Sequence, residues 1–297
     1  MRADRPVIAT TGLTKDYGNG RGIFDLDLVV DHGEIFGFLG PNGAGKTTTI
    51  RLLMGLIHPA RGSAEVLGLD CQRDAVAVKQ HVGYLPGELP QYGGWRGSEV
   101  VGYLAGLRGH VDPAEVRRIA ERFELDLGRT YREYSRGNKQ KLALVVAFMH
   151  RPQLLILDEP TSGLDPLNQQ QFHELVRESI ARGATVFLSS HVLSEVEQLC
   201  DRAGIVRDGR LVAQAPLAEL RAAKEREVEI RFASLPPVDR IKALEGVTVL
   251  ETTGQRIRCR VRGSIAPLLA ALRDAEVVDL VTHEPTLEDA FLSFYSA

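Results

Sequence analysis

The sequence predicts a layered α/β domain that carries an inserted helical block and is followed by a small α+β domain. Three observations predict it. From Val7 to about Leu220, short β-rich runs alternate with longer helical patterns, the signature of strands and helices stacked in layers. Between Asp70 and Met149 the strand patterns give way to helical segments: SEVVGYLAGLRG, PAEVRRIAERFEL and NKQKLALVVAFM. After the charged helix end RAAKERE the pattern changes again. The tail then reads strand, helix, strand, strand, helix, strand, the order of a split βαβ, ferredoxin-like unit. The expected domains are therefore 1–224, with a helical subdomain over about 70–150, and 225–297.

Taken in order, the strands of the first domain include the short β-rich runs GEIFGFLG, QLLILDEP, ATVFLSSH and AGIVRDGRLVA. In the tail, VEIRF, VTVLET, RIRCRVR and VVDLVTH read as strands, and VDRIKALE and IAPLLAALRDA as helices. A last helix, LEDAFLSFY, follows Thr286, where Thr286 and Asp289 resemble a capping box; Leu287, Phe291 and Phe294 give it one apolar face. In RIRCRVR the residues Arg256, Arg258, Arg260 and Arg262 alternate with Ile257, Cys259 and Val261, so the arginines share one face. That face reads as solvated, or else as a docking surface for an acidic patch.

The bulk numbers exclude several classes. A chain of 297 residues with 44% hydrophobic and 25% charged residues has material for two ordinary cores. The formal net charge of −3 gives no global basic field for nucleic acid or anionic lipid, so no nucleic-acid partner is expected. Cys71, Cys200 and Cys259 stand far apart without metal-ligand spacing and read as reduced thiols of a cytosolic protein. The N-terminus lacks the apolar core of a signal peptide, and the longest clean apolar run, Leu142 to Met149, falls far short of a bilayer span. If the protein serves a membrane, it does so from outside the lipid.

The chemistry is concentrated in a few short runs. Gly40-Pro41-Asn42-Gly43-Ala44-Gly45-Lys46-Thr47 fits G-x-x-x-x-G-K-[ST], follows the apolar strand Ile35 to Leu39 and opens a helix at Thr48. Such a loop lets backbone N–H groups converge on phosphates, while Lys46 supplies a cation to the β and γ groups and the Thr47 hydroxyl coordinates Mg²⁺. LLILD ends in Asp158 and Glu159, placed to reach the metal and to polarise a water in line with the γ-phosphate. Another strand runs from Thr185 to Ser190 and ends at His191, where an imidazole can contact a γ-phosphate. The run YSRGNKQK holds Ser135 and Gly137 ahead of a helix, a second place built to hold an anion.

The order of these runs resembles the nucleotide-binding subunit of the ATP-binding cassette (ABC) transporter family, of the bacterial drug- and antibiotic-export type. The loop comes first, then a helical insert ending in S-x-G-x-x-Q, then LLILDEP, SGLDP and SSH. The resemblance covers about residues 7 to 220 and implies a P-loop NTPase fold, ATP and Mg²⁺ as ligand and cofactor, and ATP hydrolysis. It also implies a homodimer in which Ser135 and Gly137 of one copy close over the γ-phosphate held by the other, with Asp165 crossing the interface and Tyr17 stacking on adenine. Separate membrane permease subunits and a place at the cytoplasmic face of the membrane follow from the same likeness. So does export of a drug, antibiotic or lipid-like molecule. A cassette acting on ribosomes or nucleic acid, or a phosphotransferase, are the other readings; neither a second cassette nor a coiled-coil insertion is visible. Two departures stand out. Where the family carries a glutamine after the strand VGYLP, this chain has Gly87 and Glu88, so Glu88, Gln91 or water takes over, or coupling is looser. The signature reads YSRGN where the family usually has LSGGQ.

Overall fold

A computed structural model describes residues 5–109, 111–222 and 226–283. The chain divides into two compact units, Met1–Ala215 and Pro216–Ala297, earlier than the expected change at 224, which lies outside the described residues.

The first unit is built on two sheets. An antiparallel sheet contains β1 (Ile8–Asp16), β2 (Gly22–Leu26), β3 (Val29–Val30), β5 (Arg61–Val66) and β6 (Leu69–Asp70), in the order β2-β1-β5-β6 with β3 also paired to β1. The central sheet has six strands: β4 (Ile35–Leu39), β7 (Val82–Leu85), β8 (Leu154–Asp158), β9 (Thr185–Ser190), β10 (Arg202–Arg207) and β11 (Arg210–Pro216). Their order is β11-β10-β4-β9-β8-β7, and from β10 to β7 all neighbours are parallel. β4, β8 and β9 are buried along their whole length, which is why they read as continuous apolar runs and not as alternating ones. Phe36 stacks on Phe187 with ring centroids 5.8 Å apart in the core between layers.

The helices of this unit are α1 (Lys46–Leu53), α2 (Ala75–His81), α3 (Gly97–Arg108), α4 (Pro113–Arg122), α5 (Arg136–Phe148), α6 (Pro166–Ala181) and α7 (Leu193–Leu199). The block expected to be helical from Asp70 to Met149 is interrupted: β7 lies inside it and pairs with β8. At four residues β7 is too short to show a periodicity, and Gly83 marks its tight seat, since a Cβ there would stand 2.2 Å from the Ala147 carbonyl oxygen. α4 begins with Asp112 as N-cap and Pro113 at its first position. Within it Glu115 pairs with Arg118 at 2.8 Å, and it is tied to α6 by ion pairs of Arg118 with Glu178 at 2.9 Å and of Arg122 with Glu178.

Glu115 is 2% exposed and also accepts from Arg151 at 2.9 Å, so its two guanidinium partners hold its carboxyl down at about 2. Because the folded value lies below the unfolded one, this group adds stability above the ordinary carboxylate range and loses it as pH falls toward 2. Glu115→Gln is expected to cost about 2 kcal/mol at pH 7, roughly a 5 °C drop in melting temperature, and the gap to the parent should narrow as pH falls below about 4. Thermal unfolding of both proteins across that range checks it. A gap unchanged at low pH would show that the charge is not what holds the helix.

The second unit contains α8 (Leu217–Ala222), β12 (Arg226–Phe232), α9 (Val238–Lys242), β13 (Val247–Thr253), β14 (Arg256–Val261), α10 (Ala266–Ala271) and β15 (Val277–His283). Its sheet order is β13-β14-β12-β15 with every neighbour antiparallel. One face is apolar, with Val228, Ile230, Phe232, Ile257, Cys259 and Val261 packed under Ile241, Leu268 and Leu272. On the other, Arg256 meets Glu229 at 3.5 Å and Arg260 meets Glu227 at 3.1 Å, while Arg258 lies 3.7 Å from Glu227. The arginine stripe is thus one half of a cross-strand ladder, each rung worth a few tenths of a kcal/mol. Its charges are answered within the sheet, which weakens the reading as an acidic-patch dock. The expected final helix and the capping box at Thr286 lie outside the described residues.

Cys71, Cys200 and Cys259 are free and buried. Burial pushes the Cys71 thiol up to about 12 and Cys259 to about 11, and raises Cys200 further still.

Candidate functional site

The parallel strands β4, β8 and β9 end side by side, so the loops that leave their C-terminal ends meet in one crevice, the usual place for a ligand in an open parallel sheet. The loop after β4 turns through Gly43 and Gly45, at φ 85° and 108°, a region that side-chain-bearing residues rarely adopt. At Gly45 a Cβ would also stand 2.6 Å from Ile23 Cγ2, so glycine is required there on two grounds. The turn delivers the first N–H groups of α1 to the crevice.

Lys46 is 5% exposed and donates from Nζ to the Gly40 carbonyl at 2.6 Å and to that of Pro41 at 3.3 Å, folding back over its own loop. The same ammonium lies 3.2 Å from Glu159 Oε1. His191 pairs through Nδ1 with the other oxygen, Glu159 Oε2, at 2.7 Å, which leaves its Nε2 directed elsewhere. Glu159 has φ 51°, a left-handed conformation for a residue with a side chain, costing about 1 kcal/mol. Its backbone is held from several sides. Its N–H donates to Ser189 Oγ at 3.1 Å, and Gln140 on α5 donates to the carbonyls of Glu159 and Pro160 at 3.3 and 2.8 Å.

Beside this chain lies a pair of oxygens. Thr47 donates from Oγ1 to Asp158 Oδ2 at 2.8 Å, and Ser189 donates to Asp158 Oδ1 at 2.5 Å; Asp158 is 1% exposed. A buried carboxylate next to a hydroxyl is a donor set for a hard cation such as Mg²⁺, which keeps most of its shell as water and phosphate oxygens. Among the described residues no group of three or more His, Cys, Asp or Glu could cage a metal by itself. The site therefore fits an ion that arrives with a phosphate.

The crevice is about 500 Å³ and its lining includes Tyr17, Asn42, Lys46, Thr47, Glu88 and Glu159. Thr48 and Gly43 line it too, and Ala44 is buried beneath. Tyr17 is half-exposed at the mouth, with Lys15 Nζ 5.6 Å from its ring centre. Gly87 lies against the Asp158 carboxylate: a Cβ there would stand 2.7 Å from Asp158 Oδ2. Glu88 points outward, 90% exposed and 3.5 Å from Arg51, and Gln91 is exposed.

Ser135, Gly137 and Asp165 are not part of that lining. Ser135 caps α5, its Oγ accepting from Asn138 N–H at 3.2 Å. Asp165 caps α6, accepting from the Asn168 backbone at 3.0 Å and from its side chain at 2.6 Å, bonds that pull its carboxyl below the usual range. Arg136 bridges the two loops by donating to Ser162 Oγ at 3.0 Å. Two residues in contact with the loop that follows β8 had no reading of their own at the sequence level. One is Gln140, visible only as the last letter of S-x-G-x-x-Q. The other is Glu195, one acid among several in the pattern of α7.

This crevice, with a glycine-rich loop, a threonine–aspartate pair and a carboxylate held between a lysine and a histidine, is that of an ATP-hydrolysing cassette. A family model described as ABC transporter matches residues 23–162, and the chain belongs to the ABC transporter family. Its relatives include the daunorubicin resistance ATP-binding protein DrrA3 of Streptomyces coeruleorubidus, 36% identical over 300 residues, covering 96% of this chain and 95% of that protein. The bacitracin transport ATP-binding protein BcrA of Bacillus licheniformis is 36% identical over 232 residues, 76% of this chain and 75% of its own length. Among solved structures, an ATP-binding subunit of an ABC transporter superposes with a TM-score of 0.68 at 32% identity, covering 73% of this chain and 92% of that one. The dimeric bacterial cassette MJ0796 shares the fold, with a TM-score of 0.63 at 20% identity over 71% of this chain and 98% of its own.

Proposed function

We propose that this chain powers export of a drug- or antibiotic-like molecule through a separate membrane permease, working as a homodimer that closes over ATP. The observation that carries the catalytic part is the linked set Lys46, Glu159 and His191 beside Thr47 and Asp158. The export reading rests on relatives named for daunorubicin resistance and bacitracin transport. A place at the cytoplasmic face of the membrane follows from that partnership. No helix among the described residues is long and apolar enough to cross a membrane. An apolar groove of about 210 Å³ between β7 and α5, lined by Tyr84, Leu89, Tyr92, Leu104, Leu142 and Val146, is a surface suited to such a partner.

In the proposed cycle Lys46 exchanges its contact with Glu159 for the β and γ phosphates. The released Glu159 then orients a water in line with the γ-phosphate and takes up its proton. His191 steadies the Glu159 carboxylate through Nδ1 and meets the γ-phosphate region with Nε2. Thr47 and Asp158 would hold Mg²⁺, which neutralises charge on the phosphates when bound. Tyr17 stacks on the base at the mouth.

Ser135 and Gly137, outside the cleft of their own chain, act on the nucleotide of the second copy. The exposed start of the 13-residue helix α5 offers its N–H groups and dipole to that anion. Asp165 stands at the same contact. A two-fold pair uses each patch twice, so two nucleotides sit between two chains.

The test is size-exclusion chromatography of a Glu159→Gln chain with ATP. It should run as a dimer, and adding Ser135→Arg should return it to a monomer that still binds one ATP per chain. A dimer that survives Ser135→Arg, or full-rate hydrolysis by a strictly monomeric preparation, would overturn the composite site. Copurification with nucleic acid in place of a membrane partner would favour the non-transport reading.

A further inference from the structure

The geometry points to Glu195 as a positioning residue for hydrolysis, a carboxylate clamp that holds the loop bearing Glu159 in register with the loop bearing His191. This rests on the roles proposed above for those two residues.

Glu195 lies in the first turn of α7 and uses both of its oxygens. Thr161 donates from Oγ1 to Oε1 at 2.5 Å, and Ser190 donates from Oγ to Oε2 at 2.9 Å. Thr161 is two residues beyond Glu159, and Ser190 immediately precedes His191. Thr161 is 6% exposed and Ser190 is fully buried, so neither hydroxyl has water as an easy substitute partner. Ser190 Oγ in turn accepts from Val192 N–H at 2.9 Å, which fixes the backbone on the far side of His191.

Two links therefore join the ends of β8 and β9. The inner one is Ser189, which donates to Asp158 and accepts from the Glu159 N–H. The outer one is the bridge through Glu195. The Glu159–His191 contact of 2.7 Å joins the same two loops. Glu159 is also held in a left-handed conformation that its own backbone disfavours, so the chain beyond it must be restrained to keep it there. Without the outer bridge, Thr161 loses its partner, and the carboxylate that orients the water gains freedom relative to the imidazole. The phosphate loop is not touched by the change. Removal of the bridge should therefore lower kcat and leave nucleotide binding alone.

The experiment uses the full chain, its steady-state ATP hydrolysis, calorimetric binding of a non-hydrolysable ATP analogue, and the ¹⁵N NMR signals of the His191 imidazole. Glu195→Ala and the near-isosteric Thr161→Val are expected to lower kcat about 10-fold with KM and analogue affinity unchanged, in line with the loss of a group that orients a catalytic residue. The His191 ring signals should shift in both variants. Glu195→Gln keeps one acceptor and should recover kcat to within about 3-fold of the parent. The inference fails if kcat in both variants stays within about 2-fold of the parent, or if it falls only in step with analogue affinity or melting temperature. Glu159→Gln in the same assay separates the two levels. If that variant turns over at the parent rate, the role of Glu159 itself is wrong; if it is inactive while Glu195→Ala is not, only the clamp is.

Discussion

Glu159→Gln should bind ATP at least as well as the parent and hydrolyse it about 10²–10³-fold more slowly, the range of a lost general base. The amide keeps the size of the side chain and its contact with His191, so the fold around it has no reason to move. What disappears is the negative charge proposed to orient the water, and with it the 3.2 Å ion pair that holds Lys46 to Glu159. Nucleotide affinity should therefore hold or improve as kcat collapses. Steady-state phosphate release and analogue calorimetry read the two quantities separately. Turnover near the parent rate would assign the base elsewhere.

The second large effect is expected at Gly87. Gly87 stands where the family resemblance leads one to expect a glutamine, so Gly87→Gln looks like a repair, yet it should lower turnover by about 10²-fold, as should Gly87→Ala. A Cβ at this position would stand 2.7 Å from Asp158 Oδ2 and 3.1 Å from its Cγ. Asp158 has little room to yield, because one oxygen accepts from Thr47 at 2.8 Å, the other from Ser189 at 2.5 Å, and the side chain is buried. The carboxylate must shift by a good fraction of an ångström, and misplacements of that order in a catalytic constellation cost about two decades in rate. The Mg²⁺ concentration for half-maximal activity should rise in the same variants. Unchanged rate and unchanged metal dependence would mean that the loop, and not Asp158, gives way.

Much of the central crevice was legible because its pieces are local. The glycines, lysine and threonine of the phosphate loop sit in eight consecutive residues, and the strands that position them are buried on both faces and so read as plain apolar runs. Ser135 was marked by its place ahead of a helix and Asp165 by the family likeness of SGLDP, and both are caps. The strand Val82–Leu85 shows no period of its own, because four residues are too few; only the family likeness marked VGYLP as a strand, and its pairing with β8 makes it one. Contacts between distant loops left no trace in the sequence. Nothing at Gly87 announces the Asp158 carboxylate, and Glu195 looks like any acid in the first turn of a helix until Thr161 and Ser190 are seen to converge on it. The arginine stripe was visible as a periodicity, but Glu227 and Glu229 on the neighbouring strand decide what it faces.

The three sunken thiols have a practical corollary. At neutral pH almost none of each is thiolate, the form that maleimides and alkylating reagents attack, and none is open to solvent. The native protein is thus close to a cysteine-free background for labelling. A single cysteine introduced on an exposed helix would carry a dye or spin label almost alone, and the opening and closing of paired cassettes could be followed without first stripping the chain of its own sulfur.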